Sequence, residues 1–221
     1  MSFTTKAATL GPGGVAFDTS EKLTAEQYAE LYALGFRIGV RTVGNALQNP
    51  AYGISSAELQ AAVTAKLGMM LYQFPRTSNW SATTGAADGT AAAHNALAIG
   101  FPKTACLWAD LEGAIPSAAA MIDYVNAWYQ AAVSAGMAGS ALGIYVGPGV
   151  PLTPQQLYEN LFVARYWRAG AIVPDVASRG YQFIQAYPGN AVVLPGVVID
   201  YDYVLEDFHG SIPVVCVSAA T

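Results

Sequence analysis

The chain has 221 residues, of which 53% are hydrophobic and only 11% charged, well below the roughly 25% charged residues of an average soluble domain. That length suits one α/β domain over residues 1–221, and so little charge implies strands buried on both faces, as in a parallel sheet wrapped by helices. A net charge of −5 with ten scattered Lys and Arg gives no footing on phosphate, so no nucleic acid and no anionic membrane is expected as a partner.

Taken in chain order, the stretch before Gly14 holds one Lys and no apolar core, so no secretory signal is expected. Gly11-Pro12-Gly13-Gly14 precedes a strand and is followed by no Lys-Ser or Lys-Thr, which makes it a loop and not a phosphate cradle. Eight runs rich in β-branched and aromatic residues then alternate with segments of helical period, the pattern of repeated βα units. The runs are Gly14 to Asp18, Phe36 to Val43, Met69 to Phe74, Ala105 to Glu112, Leu142 to Val146, Leu161 to Trp167, Tyr181 to Tyr187 and Val197 to Tyr203.

Between them, Thr24 with Gln27, Ser55 with Glu58, and Thr153-Pro154 with Gln156 predict helix starts in which the cap is reciprocated three residues on. Gly35, Gly68, Gly100 and Gly136 fall where left-handed helix ends are wanted. Tyr28, Leu31 and Tyr32, at i, i+3 and i+4, read as a face packed on the sheet. The unit holding Pro174 shows little helical pattern and is expected to be reduced, and Ile212 to Val217 reads as an extra strand or a tail packed on the outside. The expected fold is therefore an α/β (β/α)8 TIM barrel with one reduced helix and a C-terminal extra strand.

Active sites of such barrels lie at the C-terminal ends of the strands. The runs close with Asp18, Arg41, Gln73, Asp110 with Glu112, Tyr145, Tyr166, Gln185, and Asp200 with Asp202. In Trp108-Ala109-Asp110-Leu111-Glu112, residues two apart share a strand face about 6.6 Å apart, which points Trp108, Asp110 and Glu112 inward together. Paired carboxyl groups suit glycosidic cleavage, where one acid protonates the leaving oxygen while other negative charge stabilises an oxocarbenium-like centre. Cys106 and Cys216 are too few for a disulfide framework, and His94 and His209 make no metal signature, so neither metal nor cofactor is expected.

On these residues the chain resembles the glycoside-hydrolase-like barrels of the Rv-type domain-of-unknown-function class, which are similar to the family 25 lysozymes (N-acetylmuramidases). The matching stretches are Ala16-Phe17-Asp18-Thr19-Ser20, Trp108-Ala109-Asp110-Leu111-Glu112, Gly143-Ile144-Tyr145, Phe162-Val163-Ala164-Arg165-Tyr166, Ile184-Gln185-Ala186-Tyr187 and Ile199-Asp200-Tyr201-Asp202. The resemblance implies hydrolysis of β-1,4-linked N-acetylated glycan, with peptidoglycan as the polysaccharide partner. Glu112 would be the general acid, Asp110 the carboxylate that steers the N-acetyl group or stabilises the positive centre, and Asp18 and Asp200 the rest of the acidic set. Asp202, Tyr145, Gln185, Arg41, Gln73, Tyr166 and Trp108 would bind substrate.

Two departures stand out. Ile184-Gln185-Ala186-Tyr187 replaces a Trp-Gln-Tyr signature, which would remove an aromatic surface from the sugar cleft, and Asp200-Tyr201-Asp202 offers two acids where the lysozymes have an Asp followed by an Asn. The alternative is a catalytically silent wall-binding barrel carried on a phage or secretion particle. Made in the cytoplasm, either form would reach a wall by lysis, in a phage, or through a dedicated secretion system.

Overall fold

The computed structural model describes residues 4–47, 52–113 and 116–219. In chain order the strands are β1 (Thr5–Thr9), β2 (Val15–Thr19), β3 (Ile38–Val43), β4 (Gly68–Gln73), β5 (Leu107–Asp110), β6 (Leu142–Val146), β7 (Arg165–Arg168), β8 (Phe183–Leu194), β9 (Val197–Val204) and β10 (Val214–Ser218). The helices are α1 (Ala25–Ala33), α2 (Ser56–Thr64), α3 (Ala82–Ala98), α4 (Ala118–Ser134) and α5 (Pro154–Glu159).

Strands β2 to β9 form a closed, TIM-like barrel. Pairing is parallel from β2 through β8, β4 pairs with β5, and β9 closes the ring between β8 and β2. The eighth barrel strand departs from the expected (β/α)8 pattern, because β9 runs antiparallel to both neighbours. Only Pro195 and Gly196 separate it from β8, and a parallel return needs a crossover of a dozen or more residues. Gly196, at φ +75°, makes that tight turn. No helix forms between β7 and β8, where Pro174 interrupts the pattern.

Helix starts follow the capping chemistry. Thr24, Ser55 and Thr153 accept from the backbone N–H three residues on, and Ser81 adds a capping box with Thr84. At α2 the box is half made, because the Glu58 side chain turns to Arg41 instead of back to the cap. Gly35, Gly100 and Gly136 take left-handed φ, but the left-handed residue after α2 is Lys66. Gly68 instead begins β4, where a Cβ would meet Val215 Cγ2 at 2.7 Å.

Two hydrophobic layers result. One fills the barrel with Ile38, Val40, Met70, Trp108, Trp167 and Phe183 among others. The other lies between the barrel wall and the helices, where Phe17, Leu71 and Ile144 meet Tyr28, Leu59 and Val125. β10 pairs with β1 along its length and with β4 at Cys216 and Met69. It does more than cover the outside, since Val215 joins the interior layer beside the N-terminal ends of the strands. No described helix is long and apolar enough to cross a membrane.

Candidate active site

A cleft of about 510 Å³ opens at the C-terminal ends of the parallel strands, lined by Asp18, Glu21, Tyr72, Phe74, Asp110, Glu112, Tyr145, Trp167, Gln185 and Asp200, with Val198 and Ile199 on one wall. Because β9 is antiparallel, it enters this rim with its N-terminal half. Asp200 stands beside Asp18 in register, and Asp202 sits one inward position deeper, beside Ala16.

Strand alternation sorts the candidate residues. The inward positions include Val40 on β3, Tyr72 on β4, Trp108 on β5, Tyr145 on β6 and Trp167 on β7. Arg41, Gln73 and Tyr166 have the opposite parity, face the helical layer, and lie outside the cleft. Arg41 pairs with Glu58 at 2.8 Å and donates to the Thr19 carbonyl. Gln73 accepts from the Trp128 indole and donates to Tyr124 Oη at 3.0 Å. Tyr166 donates to the Leu157 and Val163 carbonyls. Trp108 does face inward but is fully buried in the barrel interior, beneath the cleft lining. Ile184 packs against the outer layer, so its replacement of an aromatic takes nothing from the cleft. Aromatic surface comes from residues the strand-end reading passed over: Tyr72, Phe74 and Trp167. Trp167 is edge-on to Tyr145 at 4.6 Å and to Tyr72 at 6.2 Å.

The acids divide by environment. Asp18 accepts at Oδ2 from Gln185 Nε2 at 3.0 Å, and Gln185 Oε1 in turn accepts from Tyr145 Oη at 2.9 Å and from Gly170 N. Burial pushes the Asp18 carboxyl up to about 7. Asp202 is fully buried; its Oδ1 accepts from the Trp167 indole at 2.9 Å, while Oδ2 meets no donor among the described residues. Burial first, and the Asp18 charge second, hold Asp202 well above the usual carboxylate range. A proton retained on Asp202 satisfies Oδ2 and is shared toward Asp18, so the two acids titrate as a pair.

Asp110 is 7% exposed, and burial raises its carboxyl well above the ordinary range. Its Oδ1 accepts from Glu112 N at 2.8 Å, and no described group donates to Oδ2. Glu112 follows the strand in a loop clamped to the next one: Leu111 N donates to the Tyr145 carbonyl and Gly113 N to the Pro148 carbonyl. Gly147 makes this approach possible, since a Cβ there would stand 2.7 Å from Glu112 Cα. Burial and then the Asp200 charge raise Glu112, and burial raises Asp200. The result is a set of acids whose carboxyls all stand above their ordinary range, over an aromatic floor. Among the described residues, no three His, Cys, Asp or Glu converge in a way that could hold a metal ion.

Residues 18–203 match the family described as Rv2525c-like, glycoside hydrolase-like domain. No curated protein sequence matches the chain significantly. Among solved structures, the fold is similar to that of the Mycobacterium tuberculosis Tat-secreted protein Rv2525c, with 16% identity, a TM-score of 0.64, and coverage of 87% of this chain and 95% of that one. It is similar also to a muramidase from Acremonium alcalophilum, with 17% identity, a TM-score of 0.62 and coverage of 89% and 95%. A family 25 glycosyl hydrolase from Bacillus anthracis has 12% identity, a TM-score of 0.63 and coverage of 90% and 91%.

Proposed function

This chain belongs to the Rv2525c-like, glycoside hydrolase-like domain family, and from that premise we propose that it is a glycosidase cleaving β-1,4-linked N-acetylated glycan, with peptidoglycan as its substrate. The observation that carries this reading is the convergence of Asp18, Asp110, Glu112 and Asp200 on one aromatic-lined cleft. The likeness to muramidases supports the glycan class.

Glu112 is the general acid. Exposed to the cleft and raised by burial and then by the Asp200 charge, it delivers its proton to the glycosidic oxygen as the bond breaks. Asp110, whose Oδ2 is free, accepts the N–H of the substrate acetamido group and steers its carbonyl oxygen toward the anomeric carbon. Asp18 and Asp200 supply negative charge near the developing positive centre. The chain of hydrogen bonds from Tyr145 through Gln185 to Asp18 fixes the orientation of that carboxylate, and preorganised charge of this kind needs no reorganisation during reaction. Tyr72, Phe74 and Trp167 offer faces for the sugar rings.

The test is release of new reducing ends from purified peptidoglycan by the parent and by Glu112→Gln, both confirmed as folded. Release by the parent, reduced about 10²- to 10⁴-fold in the variant, is expected. Equal release by both would remove Glu112 from its role. No release by either, with wall binding intact, would leave a saccharide-binding barrel.

A further inference from the structure

The cleft is lined by five carboxyl groups, those of Asp18, Glu21, Asp110, Glu112 and Asp200, and by no Lys, Arg or His. The nearby guanidinium groups are committed elsewhere: Arg41 is held by Glu58 and Arg76 by Asp88, both behind the barrel wall. A concave site whose charged form can only be negative favours a cation over an anion.

Two of these acids present oxygens with no partner among the described residues. Asp110, 7% exposed, turns Oδ2 to the cleft while its other oxygen is held by Glu112 N. Glu21 is exposed, and its side chain has neither ion pair nor hydrogen bond among the described residues. Its position is nevertheless built. Glu21 N donates to Thr19 Oγ1 at 3.2 Å, Thr19 Oγ1 donates to the Val198 carbonyl at 2.9 Å, and the Thr19 carbonyl accepts from Arg41. The loop that carries Glu21 is thus tied to β9 on one side and to the buried Arg41–Glu58 pair on the other.

We propose that this cleft selects amino-sugar strands in which some residues carry a free 2-ammonium group, partly de-N-acetylated β-1,4 glycan, and disfavours strands bearing free carboxylates. The ammonium would sit beside Glu21, where water remains, while an N-acetylated residue occupies the reacting position over Asp110. Tyr72 and Phe74 add aromatic faces that attract a cation. A carboxylated sugar would instead lose water to a cleft lined by acids and by no cation that could pair with it. Glu21 is then a specificity-determining residue of the glycan site proposed above, on which this inference rests.

The experiment measures binding by calorimetry on the Glu112→Gln protein, so that every ligand stays intact. The probes are three oligosaccharides of equal length: fully N-acetylated, partly de-N-acetylated, and carboxylated through free lactyl groups. The partly de-N-acetylated probe is expected to bind more tightly than the neutral one, by up to about fivefold, as for one added exposed charge pair, and the carboxylated probe more weakly. Added salt should shrink the gap, and Glu21→Gln should abolish most of it. Equal affinity for all three, tighter binding of the carboxylated probe, a preference untouched by Glu21→Gln, or no binding of any probe would each overturn the proposal. A preserved preference without reducing-end release from any glycan by the parent would instead remove hydrolysis and leave the selectivity standing.

Discussion

The protein buries acids on both sides of its barrel wall and treats them in opposite ways. Outside, Glu58 accepts from Arg41 Nε, Tyr28 Oη and Leu23 N. Asp88 accepts from two Arg76 nitrogens, from Tyr124 Oη and from Ala46 N. Each of these carboxylates meets a guanidinium and additional donors, which is what a buried charge requires to be tolerated. Inside, Asp18, Asp110 and Asp202 meet no cation, and burial raises all three. Unpaired acids held at an open cleft are a cost to the fold, and the glycan chemistry proposed above is what that cost would serve.

The outer layer should therefore break when a partner is removed. Asp88→Ala strands Arg76 in a buried setting and is expected to lose roughly 3–5 kcal/mol in urea denaturation. A loss under 1 kcal/mol would dissolve the distinction between the two acid sets. The same layer depends on direct contact between helices, because a Cβ at Gly89 would stand 2.2 Å from the Trp128 carbonyl oxygen. Gly89→Ala should cost about 1–3 kcal/mol by overpacking, readable as a lowered denaturation midpoint with no change in the pH profile.

Much of this arrangement was legible in the sequence, and the failures are instructive. Apart from the far end of β8, the barrel strands fall within a few residues of the runs of β-branched and aromatic residues, and the caps at Thr24 and Thr153 start α1 and α5 as read. The direction of the last barrel strand was hidden by ending the seventh run at Tyr187, because β8 continues to Leu194 and leaves only Pro195-Gly196 before β9. The strand-end residues were harder. β3 and β4 are buried at all six positions, so hydrophobicity carries no alternation to tell one face from the other. Reading the last polar residue of each run selected Arg41 and Gln73, whose neighbours Val40 and Tyr72 are the ones that face inward. Counting by twos from Asp110 back through Trp108 gives the inward parity correctly on β5, where the charged end fixes the phase. Glu58 was visible only as the partner of a cap, since nothing local records that Arg41 would reach it across the wall.

The smallest effect sharpens the inner side. Tyr145→Phe removes the donor to Gln185 Oε1 and should cost about 1 kcal/mol. Once loosened, Gln185 donates less firmly to Asp18, and the Asp18 carboxyl should move above about 7. A titration followed by NMR of labelled Asp side chains would show the shift, and an unchanged or lowered value would contradict the hydrogen-bond chain.

The most direct test of the contrast is the stability of Asp18→Asn measured by denaturation at pH 4 and pH 8. The Asp18 pKa is raised on folding from 3.8 to about 7, so its favourable contribution is full below the unfolded value and is lost as pH rises through the folded one. The account predicts that the variant gains stability over the parent at pH 8, by an amount on the order of 4 kcal/mol at most. The gain should vanish toward pH 4, and glycan cleavage should fall in the same protein. A variant that is destabilised at pH 8, as expected for Asp88→Ala, would mean that Asp18 is a structural acid like those outside the wall, and would contradict the account.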